Sequence, residues 1–273
     1  MKKLLAVAGL GLAAVAGAWA QTPDDYPANY AQAPRFRALA YYSADAEPAH
    51  VEFAEQAIDY LWHLSWGEGF ILDRATSLEG MTADSLAQYS VVVDINALPS
   101  SAAERKLFED YMENGGGWVG FHAAGYNDES TAWPWFNTFL GAGRFFCNTW
   151  PPQPALMTVD IAGHDVTRNL PAEFVAPECE WYQWRPSAAD NPDVDVLCSL
   201  SPKNLPIGIK DVVTGGEFPV VWTNRRYRMI YLNIGHGDRE FTDPTQNLLF
   251  VNALRWVVSR DPSGNPFEKR GAE

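Results

Sequence analysis

The run Ser90-Val-Val-Val-Asp-Ile95 restricts the fold more than any other stretch of this chain. Its apolar, β-branched residues are nearly continuous, as in a parallel strand with both faces covered. Parallel strands in turn need crossover helices. The neighbouring segments supply them. Arg35 to Tyr42 is a short β-prone run, and Pro48 opens a stretch in which Val51, Ala54, Ile58 and Leu61 recur at helical spacing. Phe70 to Asp73 reads as a second strand. Ser101 followed by Glu104 forms a capping box, Leu107, Phe108, Tyr111 and Met112 share one helical face, and Gly115 supplies the stop. The strand Trp118 to Phe121 follows at once. Three strand–helix alternations predict an α/β domain with a three-layer, doubly wound, mostly parallel sheet.

The second half is less regular. Ala155 to Ile161 and Val194 to Leu200 read as strands, and Pro219 to Thr223 with Met229 to Ile234 form a hairpin around Asn224-Arg-Arg-Tyr227. Asp243-Pro244 opens a final helix with Leu249, Phe250, Ala253, Leu254 and Val257 on one face. No linker or internal repeat divides the chain, so residues 35–260 are expected to form one domain. Residues 21–34 would be an N-terminal extension, and the polar residues 261–273 a flexible tail.

Lys2, Lys3, the apolar stretch from Leu4 to Gly17 and Ala18-Trp19-Ala20 match a cleavable signal peptide over residues 1–20. The apolar run is too short to span a bilayer, and the expected location is periplasmic or secreted. Losing Lys2 and Lys3 takes the formal charge from −14 to −16, which disfavours nucleic acid and anionic membranes as partners. Neutral or cationic small molecules remain, and oligomeric state is left open. Cys147, Cys179 and Cys198 have no C-x-x-C spacing. One disulfide among them, or three buried thiols, are both compatible with export.

In an open parallel sheet, side chains just beyond the carboxyl ends of the strands line one crevice. Ser43 follows the first strand, Asp94 and Asn96 end the third, and His122 sits in the small-residue turn after the fourth, which Tyr126 closes. His236 and Asp238 follow Tyr231-Leu-Asn-Ile-Gly235. Glu180 and Tyr182 lie in the acidic-aromatic run Glu178-Cys-Glu-Trp-Tyr182, whose place the periodicity does not set. Histidines beside carboxylates suit acid/base catalysis or metal binding, because a carboxylate fixes the imidazole tautomer in both. No H-x-H or H-E-x-x-H spacing occurs, so no cofactor is predicted. A divalent metal assembled from distant segments stays compatible with the sequence. Gly115 to Gly117 precede their strand and lack a Gly-Lys-Ser/Thr ending, which excludes a phosphate loop. Eleven tryptophans are present. Those in loop-like segments, Trp133 and Trp135 foremost, could offer flat platforms to the apolar faces of a sugar.

The ordered set Gly115-Gly-Gly-Trp-Val-Gly-Phe-His-Ala-Ala124, Trp133-Pro-Trp-Phe136, Leu140-Gly-Ala142 and His164-Asp-Val-Thr167 resembles the ThuA-like (trehalose utilisation) family. Glu180-Trp-Tyr182, Pro219 to Trp222 and Tyr231 to His236 extend the match to roughly residues 36–258. The resemblance implies a class I glutamine amidotransferase-like, flavodoxin-like fold and a role with trehalose-like or 3-keto glycosides. It places His122, Glu180, Tyr182 and His236 at pocket positions and matches His50 to a histidine near the first helix. The amidotransferase nucleophile is a Cys in this turn, and Gly120-Phe-His-Ala-Ala124 carries His instead, so a glutaminase thioester cannot form. Where many members carry His-Pro, this chain has Phe146-Cys-Asn-Thr-Trp-Pro151.

The expectation is an exported sugar-processing protein. His122 and His236 serve as acid and base, Glu180 or Asp238 orients one of them, and His50, Asp94, Asn96, Tyr126, Trp133, Trp135 and Tyr182 contact a sugar ligand. Hydrolysis, elimination and isomerisation are all open. The alternatives are a non-catalytic sugar-binding module and a structural protein whose buried His122 does not titrate between pH 5 and 8.

Overall fold

The computed structural model describes residues 19–20, 34–207 and 218–268. Apart from Trp19–Ala20, the expected leader and the N-terminal extension up to residue 33 lie outside them. Trp19–Ala20 (β1) pair antiparallel with Asp73 and Arg74.

The first half follows the strand–helix alternation: β2 (Phe36–Tyr41), α1 (Pro48–Glu68), β3 (Phe70–Ala75), the short α2 (Ala83–Leu86), β4 (Val91–Asp94), α3 (Ala102–Glu113) and β5 (Gly117–Phe121). The apolar run is β4, with all four residues buried. The capping box at Ser101 and Glu104 is formed in both directions. Gly115, at φ 85°, reverses the chain from α3 into β5, a conformation that suits glycine.

The second half adds α4 (Pro134–Leu140), β6 (Arg144–Asn148), β7 (Gln153–Val159), β8 (Glu173–Cys179), β9 (Tyr182–Arg185), β10 (Val194–Leu200), β11 (Pro219–Asn224), β12 (Arg228–Leu232) and α5 (Pro244–Ser259). Among the described residues these make a ten-stranded sheet in the order β1-β3-β2-β4-β5-β12-β11-β10-β7-β8. Its β3-β2-β4-β5-β12 part is parallel throughout. Numbered among themselves, these strands run 2-1-3-4-5, the flavodoxin-like order. The β11–β12 hairpin then reverses direction and starts the antiparallel extension. A separate two-stranded ribbon, β6–β9, lies beside it.

Alternate strand residues point to opposite faces, so two cores form. Ala38, Ala40, Val93, Val119 and Ile230 pack with α1 and α5 on one side. Leu39, Val92, Trp118, Met229 and Tyr231 pack with α3 and α4 on the other. The result is three layers, as expected. The stretch after Ser259, expected to fray, folds back as far as residue 268, and Phe267 meets Phe36 edge-on at 5.9 Å between ring centroids. All three cysteines are free and buried.

Candidate active site

The parallel order brings the loops after β2, β5 and β12 to one edge of the sheet, and each delivers a histidine. His50 sits in the first turn of α1, whose N-cap is Glu47: that carboxylate accepts hydrogen bonds from the Ala49 and His50 amides. Asn96, beyond β4, accepts from the Ser43 amide and donates to the carbonyls of Ser43 and His50, tying this helix start to the next strand.

His122 opens a single 3₁₀ turn directly after β5 at φ 35°, a sparsely populated conformation for a residue with a Cβ. The Tyr231 hydroxyl donates to its carbonyl at 2.7 Å. Gly235 passes so close that a Cβ there would lie 2.8 Å from the Cβ of His122. Beyond it, the Gly235 and His236 amides both donate to the buried Glu240 carboxylate, which Gln246 also contacts at 2.8 Å. Burial lifts the Glu240 carboxyl to about 7.

The three imidazoles form a triangle, with ring centroids 5.2 Å apart for His50 and His122, 5.3 Å for His50 and His236, and 5.8 Å for His122 and His236. Tyr182 closes it from β9. Its ring lies 3.8 Å from that of His122, and its hydroxyl is 3.3 Å from His50 Nε2. Glu180, in the turn between β8 and β9, places Oε2 3.7 Å from His236 Nε2, while Oε1 accepts from Asn148 Nδ2 at 3.0 Å. Glu47 Oε2 lies 3.9 Å from His236 Nε2 and 4.0 Å from His50 Nδ1.

Electrostatics keep these rings neutral. Burial, followed by the proximity of His236, lowers His50 to about 4. Burial, then His50 and His236, drives His122 well below the usual imidazole range. Burial also lowers His236, against the opposing pull of Glu47 and Glu178. Neutral imidazoles offer lone pairs, which can accept a proton or bind a cation. Donor atoms of His50, His122 and Glu180 lie within 4.8 Å of one another, as do those of Glu47, His50 and His236.

The expected residues divide. His50, His122, Glu180, Tyr182 and His236 meet. His122, which the sequence singles out, is wholly buried, whereas the His236 side chain keeps 11% of its surface exposed. Tyr126 joins the rim, 4.5 Å from Phe145 and 6.1 Å from Tyr182 between ring centroids.

Other expected contacts are corrected by the packing. Trp133 and Trp135 do not flank the histidines. They stack on each other, meet Phe108 of α3 edge-on, and donate their indole N–H groups to Glu109 and Glu113. Asp94 is buried against the Trp118 indole, and burial raises its carboxyl well above the usual range. Asn96 spends its amide on backbone, as described above. Asp238 is exposed, and the carboxylate that holds the His236 turn is Glu240.

Glu47, Asn148, Asn233 and Glu240 escaped the sequence reading. Only Glu47 had a local signal, as an acid immediately before a helix-opening proline. Asn233 interleaves with β9: its Oδ1 accepts from the Tyr182 amide and its Nδ2 donates to the Tyr182 carbonyl.

A family model described as trehalose utilisation matches residues 37–257. The crystal structure of a ThuA-like protein from Bacteroides uniformis is 63% identical, covers 89% of this chain and 99% of its own, and superposes with a TM-score of 0.84. A ThuA-like protein from Parabacteroides merdae is 19% identical over 86% of this chain and 92% of its own, with a TM-score of 0.56, a likeness of fold. No curated protein shows significant similarity to the chain.

Proposed function

This chain belongs to the trehalose utilisation family, and from that premise we propose that it processes a trehalose-like or 3-keto glycoside at the histidine triangle. The observation that carries the reading is the His236–Glu180 pair at 3.7 Å, which, unlike His122, keeps some exposed surface, beside an aromatic rim of Tyr126, Phe145 and Tyr182. A carboxylate at the imidazole edge orients the ring and stabilises the imidazolium formed when it takes a proton. In a 3-keto sugar the hydrogen next to the carbonyl is the acidic one, and His236 is the group suited to remove it. His122, wholly buried, forms the floor on which Tyr182 lies.

The sugar platform in this reading is the Tyr126–Phe145–Tyr182 rim. In the segment where the chain departs from the family's His-Pro pattern, Asn148 donates to Glu180, while Phe146 and Trp150 are exposed. The leader-like residues 1–20 support export to the periplasm or beyond. No described helix is long and apolar enough to cross a membrane.

The test is turnover of a panel of trehalose-type and 3-keto glycosides by the purified chain, with binding followed by calorimetry. His236→Ala is expected to lower turnover by about 100-fold or more, the usual contribution of a general base, while leaving the thermal midpoint nearly unchanged. Binding without turnover by the unaltered protein would favour a non-catalytic sugar-binding module. Neither binding nor turnover would remove the sugar reading altogether.

A further inference from the structure

We propose that His50, His122 and Glu180 hold a first-row divalent transition cation. Their donor atoms lie within 4.8 Å of one another. Metal–ligand bonds of about 2.0–2.2 Å place neighbouring donors of a tetrahedral site about 3.3 Å apart, so small side-chain rotations close the set around one ion.

The second observation is an unsatisfied atom. His122 has no exposed surface, and its Nε2 has no hydrogen-bonding partner among the described residues. The other ring nitrogen, Nδ1, faces Cys179 Sγ at 4.0 Å. A buried polar atom left unpaired is destabilising, and a cation bound through that lone pair removes the penalty. The ring is confined by its full burial and by the Tyr182 ring 3.8 Å from it, and its backbone is held by the Tyr231 bond to its carbonyl.

The other two donors are braced with equal care. His50 is fixed by the N-terminal turn of α1 and by the Asn96 bond to its carbonyl. Glu180 has Oε1 occupied by Asn148, which leaves Oε2 on the side of His236. Such outer hydrogen bonds orient metal ligands and tune their affinity. Two imidazoles and one carboxylate form a donor set shared by open catalytic zinc and iron sites. His236 and Tyr182 would then stand beside the open position.

The alternative group, Glu47 with His50 and His236, is disfavoured because the Glu47 carboxylate is already the N-cap of α1 and its side chain is 55% exposed. Removing Glu47 therefore discriminates the two sets.

The experiment is independent of any sugar. The full chain, dialysed against a chelator, is titrated with Zn²⁺ by calorimetry and with Co²⁺ by visible absorption, with Mg²⁺ as competitor. One equivalent per chain is expected, undisturbed by Mg²⁺, because imidazole donors favour the transition ions. His50→Ala, His122→Ala and Glu180→Gln are each expected to weaken binding about 100-fold or more, and Glu47→Gln by no more than about threefold, by comparison with the 10–100-fold effect of losing an outer partner. The thermal midpoint of each metal-free variant reports folding, and Glu180→Gln, nearly isosteric, carries the test if His122→Ala does not fold. Absence of stoichiometric Zn²⁺ or Co²⁺ binding by the unaltered chain overturns the proposal. So does unchanged affinity in folded Glu180→Gln, or loss of binding confined to Glu47→Gln.

Discussion

The rings of His122 and Tyr182 lie 3.8 Å apart between centroids, tilted by 32°, although one residue follows a central strand of the main sheet and the other belongs to a separate ribbon. His122 ends a parallel strand and Tyr182 begins the small antiparallel ribbon. Asn233 stitches them together, since both its amide atoms bond the backbone of Tyr182 just past the end of β12. The site is therefore a junction: the loops after the parallel strands contribute the imidazoles and Tyr126, and the ribbon with the turn leading into it contributes Asn148, Phe145, Tyr182 and Glu180.

Gly235 is the narrowest point of that junction. An alanine there would bring its Cβ to 2.8 Å from His122 Cβ and 2.9 Å from the Phe53 ring, at φ 151°. Gly235→Ala is expected to cost on the order of 1–3 kcal/mol by overpacking. It should also displace His122. Chemical denaturation reads the first effect and Zn²⁺ affinity the second; full stability with wild-type affinity would contradict the packing argument.

Glu240 holds the turn that presents His236. Glu240→Ala strands two amide donors, the buried one of Gly235 and the partly buried one of His236, and is expected to destabilise the fold by on the order of 3 kcal/mol. The loss should appear as a lowered denaturation midpoint, with sugar turnover reduced further because the loop carrying His236 is released. A variant as stable as the parent would mean that water replaces the carboxylate.

Trp133 separates packing from binding. It is 6% exposed, stacks with Trp135 and Phe136, and carries Arg105 over its ring. Trp133→Ala should cost about 3–5 kcal/mol of stability, as large-to-small core changes do. Affinity of the folded variant for sugar or Zn²⁺ should be unaltered. Selective loss of sugar affinity at unchanged stability would restore the role expected from the sequence.

Glu104 sets an acid limit on stability. Burial alone would raise its carboxyl, but hydrogen bonds from Ser77, Ser101 and the Leu78 amide outweigh it and hold the group at about 2, against an ordinary value of 4.5. A depressed acid contributes stability that is present above its unfolded value and lost as pH falls through the folded one. Glu104→Gln should therefore cost on the order of 2–3 kcal/mol at pH 7. The gap between variant and parent should shrink from about pH 4.5 down to about pH 2, where it closes. Urea midpoints across that range test it; a gap independent of pH would show that the capping geometry, not the charge, matters.

The sequence by itself determined the parallel core. The β4 run, the Ser101–Glu104 capping box, the β11–β12 hairpin and the face of α5 are local patterns, since strand and helix periods and caps involve residues only a few positions apart. They also sufficed to nominate His122 and His236, because the carboxyl ends of parallel strands share one edge, whereas His50 came only from the family resemblance. What each nominated residue touches was decided by tertiary structure. Trp133 and Trp135 read as free aromatic surface until α3 covers them. Asp94 read as a crevice residue until Trp118 buries it. Glu180 had no legible place because its neighbours, His236 and Asn148, are brought to it by the sheet order and by pairing of β6 with β9. Such long-range pairing leaves no period in the local sequence.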